Sequence, residues 1–243
     1  MSFFSRLTHS ARRESPELET PEQIDAFIDS RALEYPAKIE DEFVQRALDL
    51  GVDGGMILDV GTRVGLAPLK MLWQNQNFYA IGIDRSGAMI ERARATADAW
   101  GLEERAFFQL GDARKMRLKT AYFDLAISDS TLHVFDDPLS VLKEINRVLK
   151  PKGGLLIRDL QRPSRFQMQR KIEEHSVLCG ARMRPHFETA LRAAFTRDEI
   201  EGLVRASGLE RVQFGESGEH HFVIERTGES DPNSWIKARE QYL

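Results

Sequence analysis

The sequence contains very little cysteine, with Cys179 as its only one. A single thiol excludes an internal disulfide and is typical of a reducing compartment. Long apolar runs are missing too, because no stretch approaches the roughly 20 residues that cross a bilayer. From these absences we expect a cytoplasmic protein with no membrane partner. An organellar transit peptide is the alternative, since the first residues carry arginine and serine and no acid before Glu14.

An excess of positive charge is also absent. The chain has 34 Lys and Arg against 38 Asp and Glu, a formal net charge of -4. This balance argues against a dedicated nucleic-acid binder, which is usually basic overall. The metal-binding patterns CxxC and HExxH do not occur, so we expect no metal and interpret His175, Cys179 and His186 as structural.

Short apolar runs alternate with amphipathic stretches through most of the chain. Such runs, separated by helices, predict a parallel sheet covered on both faces. Two late runs, "ERVQFGE" and "HHFVIER", are separated only by "SGE". A connection that short cannot cross over the sheet, so it predicts an antiparallel hairpin. The pattern as a whole predicts a doubly wound α/β fold whose last strand runs against the others.

Acidic residues follow or end three successive predicted strands: Asp59, Asp84 and Asp112. Each could be only a turn residue or a helix N-cap. However, ligands of an open parallel sheet bind beyond the carboxyl ends of its strands. An acid placed like Asp84, one strand after the glycine turn at Gly61, commonly accepts hydrogen bonds from ribose hydroxyls. Asp112 could accept one from an adenine amino group, so together the three acids favour an adenosine-containing ligand.

The glycine turn "LDVGTRVGL" distinguishes two adenosine ligands. A dinucleotide requires G-x-G-x-x-G, which aims amides at a pyrophosphate. Here Gly61 and Gly65 give G-x-x-x-G. S-adenosylmethionine has no phosphate and tolerates a looser turn, and it also accounts for the third acid and for the antiparallel strand. We therefore favour the methyl donor.

Five stretches, in order, resemble class I S-adenosylmethionine-dependent methyltransferases. They are "LDVGTRVG", "GIDRSGAMIERAR", "GDARKM", "FDLAISDSTLHVFDDP" and "EINRVLKPKGGLLIRDL". The resemblance covers about residues 55 to 226, and "RDLQRP" followed by "FETALRAAFTRDEIEGL" is similar to a bacterial subgroup of unknown substrate. It implies a Rossmann-like sheet of seven strands with the last one antiparallel, S-adenosylmethionine as cofactor, and methyl transfer.

The resemblance also implies which residues contact the cofactor. Asp59 and Gly61 would hold the methionine moiety and Asp84 the ribose, while Met89 or Arg85 would pack near adenine. The full set is Asp59, Gly61, Thr62, Arg63, Asp84, Arg85, Met89, Asp112, Ala113 and Ser128.

Arg63 departs from the family pattern, which has glycine at this position. Three interpretations stay open: the ligand is displaced, the guanidinium turns outward, or it pairs with the carboxylate of the donor. Arginine offers a planar fork that suits a carboxylate.

His133 is the best candidate for a general base, because it follows the fourth strand, where substrate and cofactor should meet. Asp129 could orient that base or a substrate amine. The alternative is that His133 only packs in the turn. We expect substrate contacts from Tyr35, Ser130, Arg158 and Arg162. The Asn-Pro-Pro-aromatic tetrapeptide of amide- and base-methylating relatives is missing.

We predict three segments: an N-terminal helical lid (1–54), the methyltransferase domain (55–226) with an insertion (161–196) as a cap, and a tail helix (227–243). The first helix should run from Thr20 to about Tyr35 and end at Pro36. Between 161 and 197 the chain carries eight basic residues against three acids. This excess favours an anionic substrate, although a solvated helix face would give the same composition.

The leading hypothesis is therefore methyl transfer to a small molecule, with an anionic one favoured, by a monomer or homodimer. The alternatives are a binding protein that has lost transfer, which Arg63 suggests, and an RNA methyltransferase, which the basic insertion suggests. RNA is the weaker of the two, since few aromatic residues interleave with the basic ones.

Overall fold

The protein is described by a computed structural model that covers residues 20–31 and 33–230. Seven strands in this part form one sheet in the order β3-β2-β1-β4-β5-β7-β6. The strands are β1 (Gly55–Val60), β2 (Phe78–Asp84), β3 (Ala106–Leu110), β4 (Phe123–Asp129), β5 (Leu149–Leu160), β6 (Gln213–Ser217) and β7 (His221–Arg226). Strand β7 is antiparallel to both of its neighbours, β5 and β6. The predicted doubly wound sheet with an antiparallel last strand is confirmed.

Eight α-helices lie in the described residues. They are α1 (Pro21–Arg31), α2 (Glu34–Leu48), α3 (Leu66–Gln74), α4 (Gly87–Ala99), α5 (Pro138–Val148), α6 (Arg165–Cys179), α7 (Arg184–Ala193) and α8 (Arg197–Ser207). Among these residues, no helix has both the length and the apolar character that a membrane crossing requires.

The core has two layers, one on each face of the sheet. Helices α2, α3 and α4 pack on one face, and α5 and α8 pack on the other. Alternation along β1 explains the division, because Met56 and Leu58 belong to one layer while Ile57, between them, belongs to the other. Because both layers are apolar, the strands are buried on both faces, as parallel strands usually are.

The N-terminal helices depart from the sequence prediction. Helix α1 already ends at Arg31, and Pro36 lies in the first turn of α2. The prediction that Pro36 ends the first helix is wrong. The physical reason is that first-turn N–H groups have no partner within the helix, so proline is tolerated there. The predicted tail helix falls mostly on residues 231–243, which lie outside the described residues.

Candidate active site

A cavity of about 200 Å³ opens beyond the carboxyl ends of the central strands. Three parts of the chain line it. The sheet edge gives Gly61, Arg63, Ile83, Asp84, Gly111, Asp129, Ser130, His133 and Arg158; the N-terminal helices give Phe27, Ser30, Pro36 and Ile39; and the insertion gives His175, Cys179, Met183, His186, Phe187 and Ala190. Both predicted covering segments therefore contribute walls. Movement of either one as a lid stays a prediction.

The glycine turn is fixed by packing. The N–H groups of Gly61 and Thr62 both donate to the carbonyl of Ile83, at 2.8 and 3.0 Å, which ties the turn to β2. Gly61 has a φ of +73°, and a Cβ on it would come within 2.0 Å of the Thr131 side chain. Only glycine fits this position, because a side chain would be both strained and obstructed.

Asp84 organises the turn as well as lining the cavity. One of its carboxylate oxygens accepts from the Arg63 N–H at 2.9 Å, and the other accepts from the Ser86 N–H at 2.9 Å. Arg85, Met89 and Ala113 line the cavity beside it. Four predicted cofactor residues are thus brought together.

Asp112 does not line the cavity, although its neighbours Gly111 and Ala113 do. The Arg114 guanidinium contacts both of its oxygens, with Nε–Oδ1 at 3.0 Å and Nη2–Oδ2 at 2.8 Å. This pairing lowers the pKa of the Asp112 carboxyl. Asp112 therefore does not present its carboxylate to the cavity, where the expected contact with an adenine amino group would form.

Asp59 lines a side pocket of about 30 Å³, together with Thr62. Burial raises the pKa of the Asp59 carboxyl to about 7; the Thr62 hydroxyl and the charge of Arg63 oppose the rise, and Asp129 and Asp84 add to it. A neighbouring cation would stabilise the ionised form of such a buried carboxyl.

Arg63 turns inward. Its guanidinium donates to the carbonyl oxygen of Asp129 and lies over the Phe27 ring, 5.1 Å from the centroid. It lines both the cavity and the side pocket. The option that Arg63 points outward is wrong, because the carbonyl and the aromatic face inside the site attract the cation.

The Asp129 carboxylate forms an ion pair with the Arg158 guanidinium. The Arg158 Nε meets Oδ1 at 2.9 Å, and its Nη2 meets Oδ2 at 2.8 Å. The Ser130 hydroxyl also donates to Oδ1, at 3.0 Å. The prediction that Asp129 orients a general base is wrong, because the chain places a different acid beside His133.

That acid is Asp159, which is fully buried on β5. His133 Nδ1 lies 2.5 Å from Asp159 Oδ1, and the His133 N–H donates to Oδ2 at 3.0 Å. His133 itself lies in the short turn after β4 and lines the cavity. His133 therefore packs in the turn and also lines the cavity, and its role as a general base stays a prediction. The sequence signal for Asp159 is only its place in "RDL", at the end of a strand.

Three more histidines line the cavity and were missed as site residues: His175, His186 and His221. Burial is the main cause that lowers their pKa values, to about 4 for His175 and His186 and about 3 for His221. His175 stacks on Phe187 with centroids 3.3 Å apart. No sequence pattern marks these residues, because periodicity along a helix or a strand cannot show which face meets a cavity.

Two more predicted residues, Ser128 and Arg162, line neither the cavity nor the side pocket. Ser128 is buried, and its hydroxyl donates to the Val60 carbonyl at 2.9 Å. The Arg162 guanidinium pairs with Glu199 at 2.5 Å, outside the lining. In both residues the polar group expected to contact a ligand is bound to another part of the protein instead. The Tyr35 side chain lies outside the described residues.

The basic insertion is largely neutralised by its own surroundings. Six of its eight basic residues form ion pairs with partners in the described part of the chain: Arg162, Arg170, Lys171, Arg182, Arg192 and Arg197. The positive charge that favoured an anionic substrate or RNA is therefore mostly compensated.

Comparisons with known proteins bear on the family and the fold of the chain. Residues 52–206 match the sequence model of a family described as "Methyltransferase domain". The chain is 28% identical over 190 residues to 27-O-demethylrifamycin SV methyltransferase of Amycolatopsis mediterranei, an alignment that covers 78% of this chain and 62% of that relative. The chain thus spans less than two thirds of the relative's length.

Two solved structures share the fold. A SAM dependent methyltransferase from Aquifex aeolicus has a TM-score of 0.60 at 22% identity, covering 85% of this chain and 97% of that one. Haemonchus contortus phosphoethanolamine N-methyltransferase 2, in complex with S-adenosyl-L-methionine, has a TM-score of 0.65 at 14% identity, covering 95% and 60%.

The fold and the family match together define a class I S-adenosylmethionine-dependent methyltransferase. The chain belongs to the methyltransferase-domain family. The resemblance and the cofactor that it implies are confirmed.

Proposed function

We propose that the chain transfers the methyl group of S-adenosylmethionine to a hydroxyl group of a small, uncharged molecule. One observation carries this proposal: His133 lines the cavity while its ring Nδ1 is held by the buried carboxylate of Asp159. This arrangement suits the removal of a proton from an acceptor that must lose one.

The residues at the sheet edge fit the cofactor. Asp84, with Met89 and Ala113 beside it, would hold the adenosine part, and Asp59 would hold the ammonium group of the methionine part. The buried Asp59 supports this assignment because it lines the side pocket, where a bound ammonium would stabilise the carboxylate that burial alone disfavours. When bound, the cofactor supplies an electrophilic methyl group on a sulfonium.

His133 would hold the proton that the acceptor gives up. Because Nδ1 faces the Asp159 carboxylate, it carries the hydrogen of the neutral ring, which leaves Nε2 as the basic nitrogen. Asp159 would also stabilise the imidazolium that forms. A hydroxyl is the acceptor that gains most, since it becomes a much better nucleophile as its proton leaves.

The walls support an uncharged acceptor. Apolar side chains contribute much of the cavity lining, among them Phe135, Leu160, Met183 and Phe187. The imidazoles of His175 and His186 are neutral near pH 7, because their pKa values are lowered to about 4. Neutral imidazoles can donate or accept a hydrogen bond without demanding an opposite charge.

The test measures S-adenosylhomocysteine formation with three matched sets of compounds: hydroxylated ring compounds, the corresponding amines and the corresponding phosphate esters. We expect turnover with the hydroxyl set. His133→Asn should then lower kcat by about 10²- to 10⁴-fold, the usual worth of a general base, without weakening S-adenosylhomocysteine binding. His220→Asn is the matched control, because His220 is also buried but does not line the cavity.

Preferred turnover of the phosphate esters or amines would contradict the proposal, as would an unchanged kcat in His133→Asn. A binding protein without transfer is the second candidate, which Arg63 favours because its guanidinium extends into the site. Calorimetric titration of the native chain with S-adenosylmethionine tests whether Arg63 closes the cofactor site. Absence of binding would favour the second candidate.

A further inference from the structure

Arg63 lies where two spaces meet. The main cavity and the side pocket share four residues, Phe27, Gly61, Arg63 and Asp129. The residues proposed to hold the adenosine part, Asp84, Met89 and Ala113, line the main cavity. Asp59 lines only the side pocket. A ligand with an adenosine end and an amino-acid end must therefore pass Arg63.

The backbone fixes the start of the Arg63 side chain. Its φ is +50°, a left-handed value that is uncommon for a side chain other than glycine, asparagine or aspartate. The Asp84 carboxylate holds this conformation, since Oδ2 accepts the Arg63 N–H at 2.9 Å. Such strain at a site, held by its surroundings, indicates that the position of the side chain matters.

One acceptor of the Arg63 guanidinium is a neutral group. It donates to the main-chain carbonyl of Asp129, whereas the carboxylate of the same residue is taken by Arg158 through two hydrogen bonds. A hydrogen bond between two charged groups is roughly twice as strong as one between neutral groups. An incoming carboxylate would therefore compete well for Arg63.

The opposite charge is supplied close by. Asp59 lines the side pocket together with Arg63, and the two interact electrostatically. A buried acid beside an arginine complements a zwitterion, in which an ammonium and a carboxylate stand on the same carbon. An α-amino acid end is such a group.

We propose that Arg63 selects ligands that carry a carboxylate on their amino-acid end, by exchanging the Asp129 carbonyl for that carboxylate. This inference rests on the proposed cofactor site. The arginine that departs from the family's glycine is then a specificity-determining residue for the methyl donor and its product. The third interpretation of Arg63 from the sequence is the one that the geometry supports.

The experiment compares two ligands that differ in one group. S-adenosylmethionine and decarboxylated S-adenosylmethionine are titrated calorimetrically into the native chain and into Arg63→Gln. In the native chain we expect the carboxylate-bearing ligand to bind about 10- to 100-fold more tightly, because hydrogen bonds to charged groups contribute that much. In Arg63→Gln this preference should fall to within about threefold.

Arg85→Gln is the matched control. It also removes an arginine that lines the cavity, but one beside Asp84 and away from the side pocket. Its two affinities should keep the native ratio. Thermal unfolding of each variant confirms that it is folded, and Arg63→Lys should restore part of the preference because it restores the charge.

Equal weakening of both ligands in Arg63→Gln would overturn the inference and assign Arg63 a role in shaping the turn. Tighter binding of both would show that the arginine obstructs the site, which overturns it too. Absence of binding of either ligand to the native chain would overturn the cofactor site and this inference together. If the native chain prefers the carboxylate-bearing ligand but transfers no methyl group, only the proposed function would be overturned.

Discussion

Arg158 and Asp129 stand directly opposite each other on neighbouring strands and form a two-point ion pair. They are register partners on β5 and β4, with Nε–Oδ1 at 2.9 Å and Nη2–Oδ2 at 2.8 Å. The third nitrogen of Arg158 donates to the carbonyl of Ile39 at 2.6 Å, and its guanidinium lies over the Phe43 ring. The pair therefore connects the carboxyl ends of β4 and β5 to helix α2.

Replacement of Arg158 should destabilise the fold strongly. Its side chain is 1% exposed and that of Asp129 is 13% exposed, so Arg158→Met leaves a carboxylate largely out of water without its cation. Loss of one partner of such a pair costs about 3 to 5 kcal/mol of unfolding free energy. Urea denaturation followed by circular dichroism measures this loss.

The double variant Arg158→Met with Asp129→Asn should recover most of the stability, because no charge is then left unpaired. Lys152→Met is the control, since it breaks a pair with Glu229 that is well exposed on both sides. Its denaturation midpoint should not change. A double variant as unstable as the single one would show that packing of Arg158, and not its charge, stabilises this edge.

The sequence predicts those parts of the site that depend on local order. The glycine turn and Asp84 were found because each lies at the end of its own strand, and strand ends follow from apolar periodicity. The pairs Arg158–Asp129 and His133–Asp159 were not found, since their members are 29 and 26 residues apart and meet only through the register of β4 with β5. The register in which two parallel strands pair cannot be read from the separation of their residues along the chain. The direction of Arg63 is equally non-local, because Phe27 comes from helix α1.

Asp59 should make stability depend on pH. Burial raises its pKa from 3.8 to about 7. Between these values the unfolded chain ionises Asp59 while the folded chain keeps the proton, so the folded state binds more protons. Stability from this residue therefore falls as pH rises through this window and is constant above it. Asp59→Asn lacks this dependence.

The measurable quantity is the difference in unfolding free energy between Asp59→Asn and the native chain. It should shift in favour of the variant by roughly 4 kcal/mol at most from pH 4 to pH 8, since each unit of pKa corresponds to about 1.4 kcal/mol. Chemical denaturation at several pH values gives the curve. A difference that does not change with pH would show that Asp59 ionises alike in both states.

The same residue should release a proton when the methyl donor's product binds. At pH 5.5 the free protein holds a proton on Asp59, because its pKa is about 7. The ammonium group of S-adenosylhomocysteine would favour the carboxylate, so up to about one proton should leave. Release should vanish as the pH rises past 7. Calorimetry in two buffers with different ionisation enthalpies counts the protons.

5′-Methylthioadenosine provides the matched ligand for this measurement, since it lacks the amino-acid end and should release no proton. Asp59→Asn provides the matched protein and should release none with either ligand. Equal release with both ligands would place the proton on a group near the adenosine end and would contradict the assignment of Asp59.

Asp159 should act on the reaction through His133. Its two oxygens accept from the His133 ring and from the His133 N–H, and Oδ1 also accepts from the Leu160 N–H at 2.6 Å. Asp159→Asn keeps the shape but can present an N–H to Nδ1, which would place the ring hydrogen on Nε2 and remove the base. We expect kcat to fall about 10²- to 10⁴-fold while KM stays within about threefold.

A purely structural role would give a different result. If Asp159 only fixed the turn after β4, Asp159→Asn would change KM and the unfolding free energy together and would leave the pH profile of kcat unaltered. A positioning role predicts instead that raising the pH does not restore kcat, because the tautomer and not the ionisation is wrong. Combining His133→Asn with Asp159→Asn completes the argument. The double variant should be no slower than His133→Asn alone, since residues that act as one unit lose their effect together.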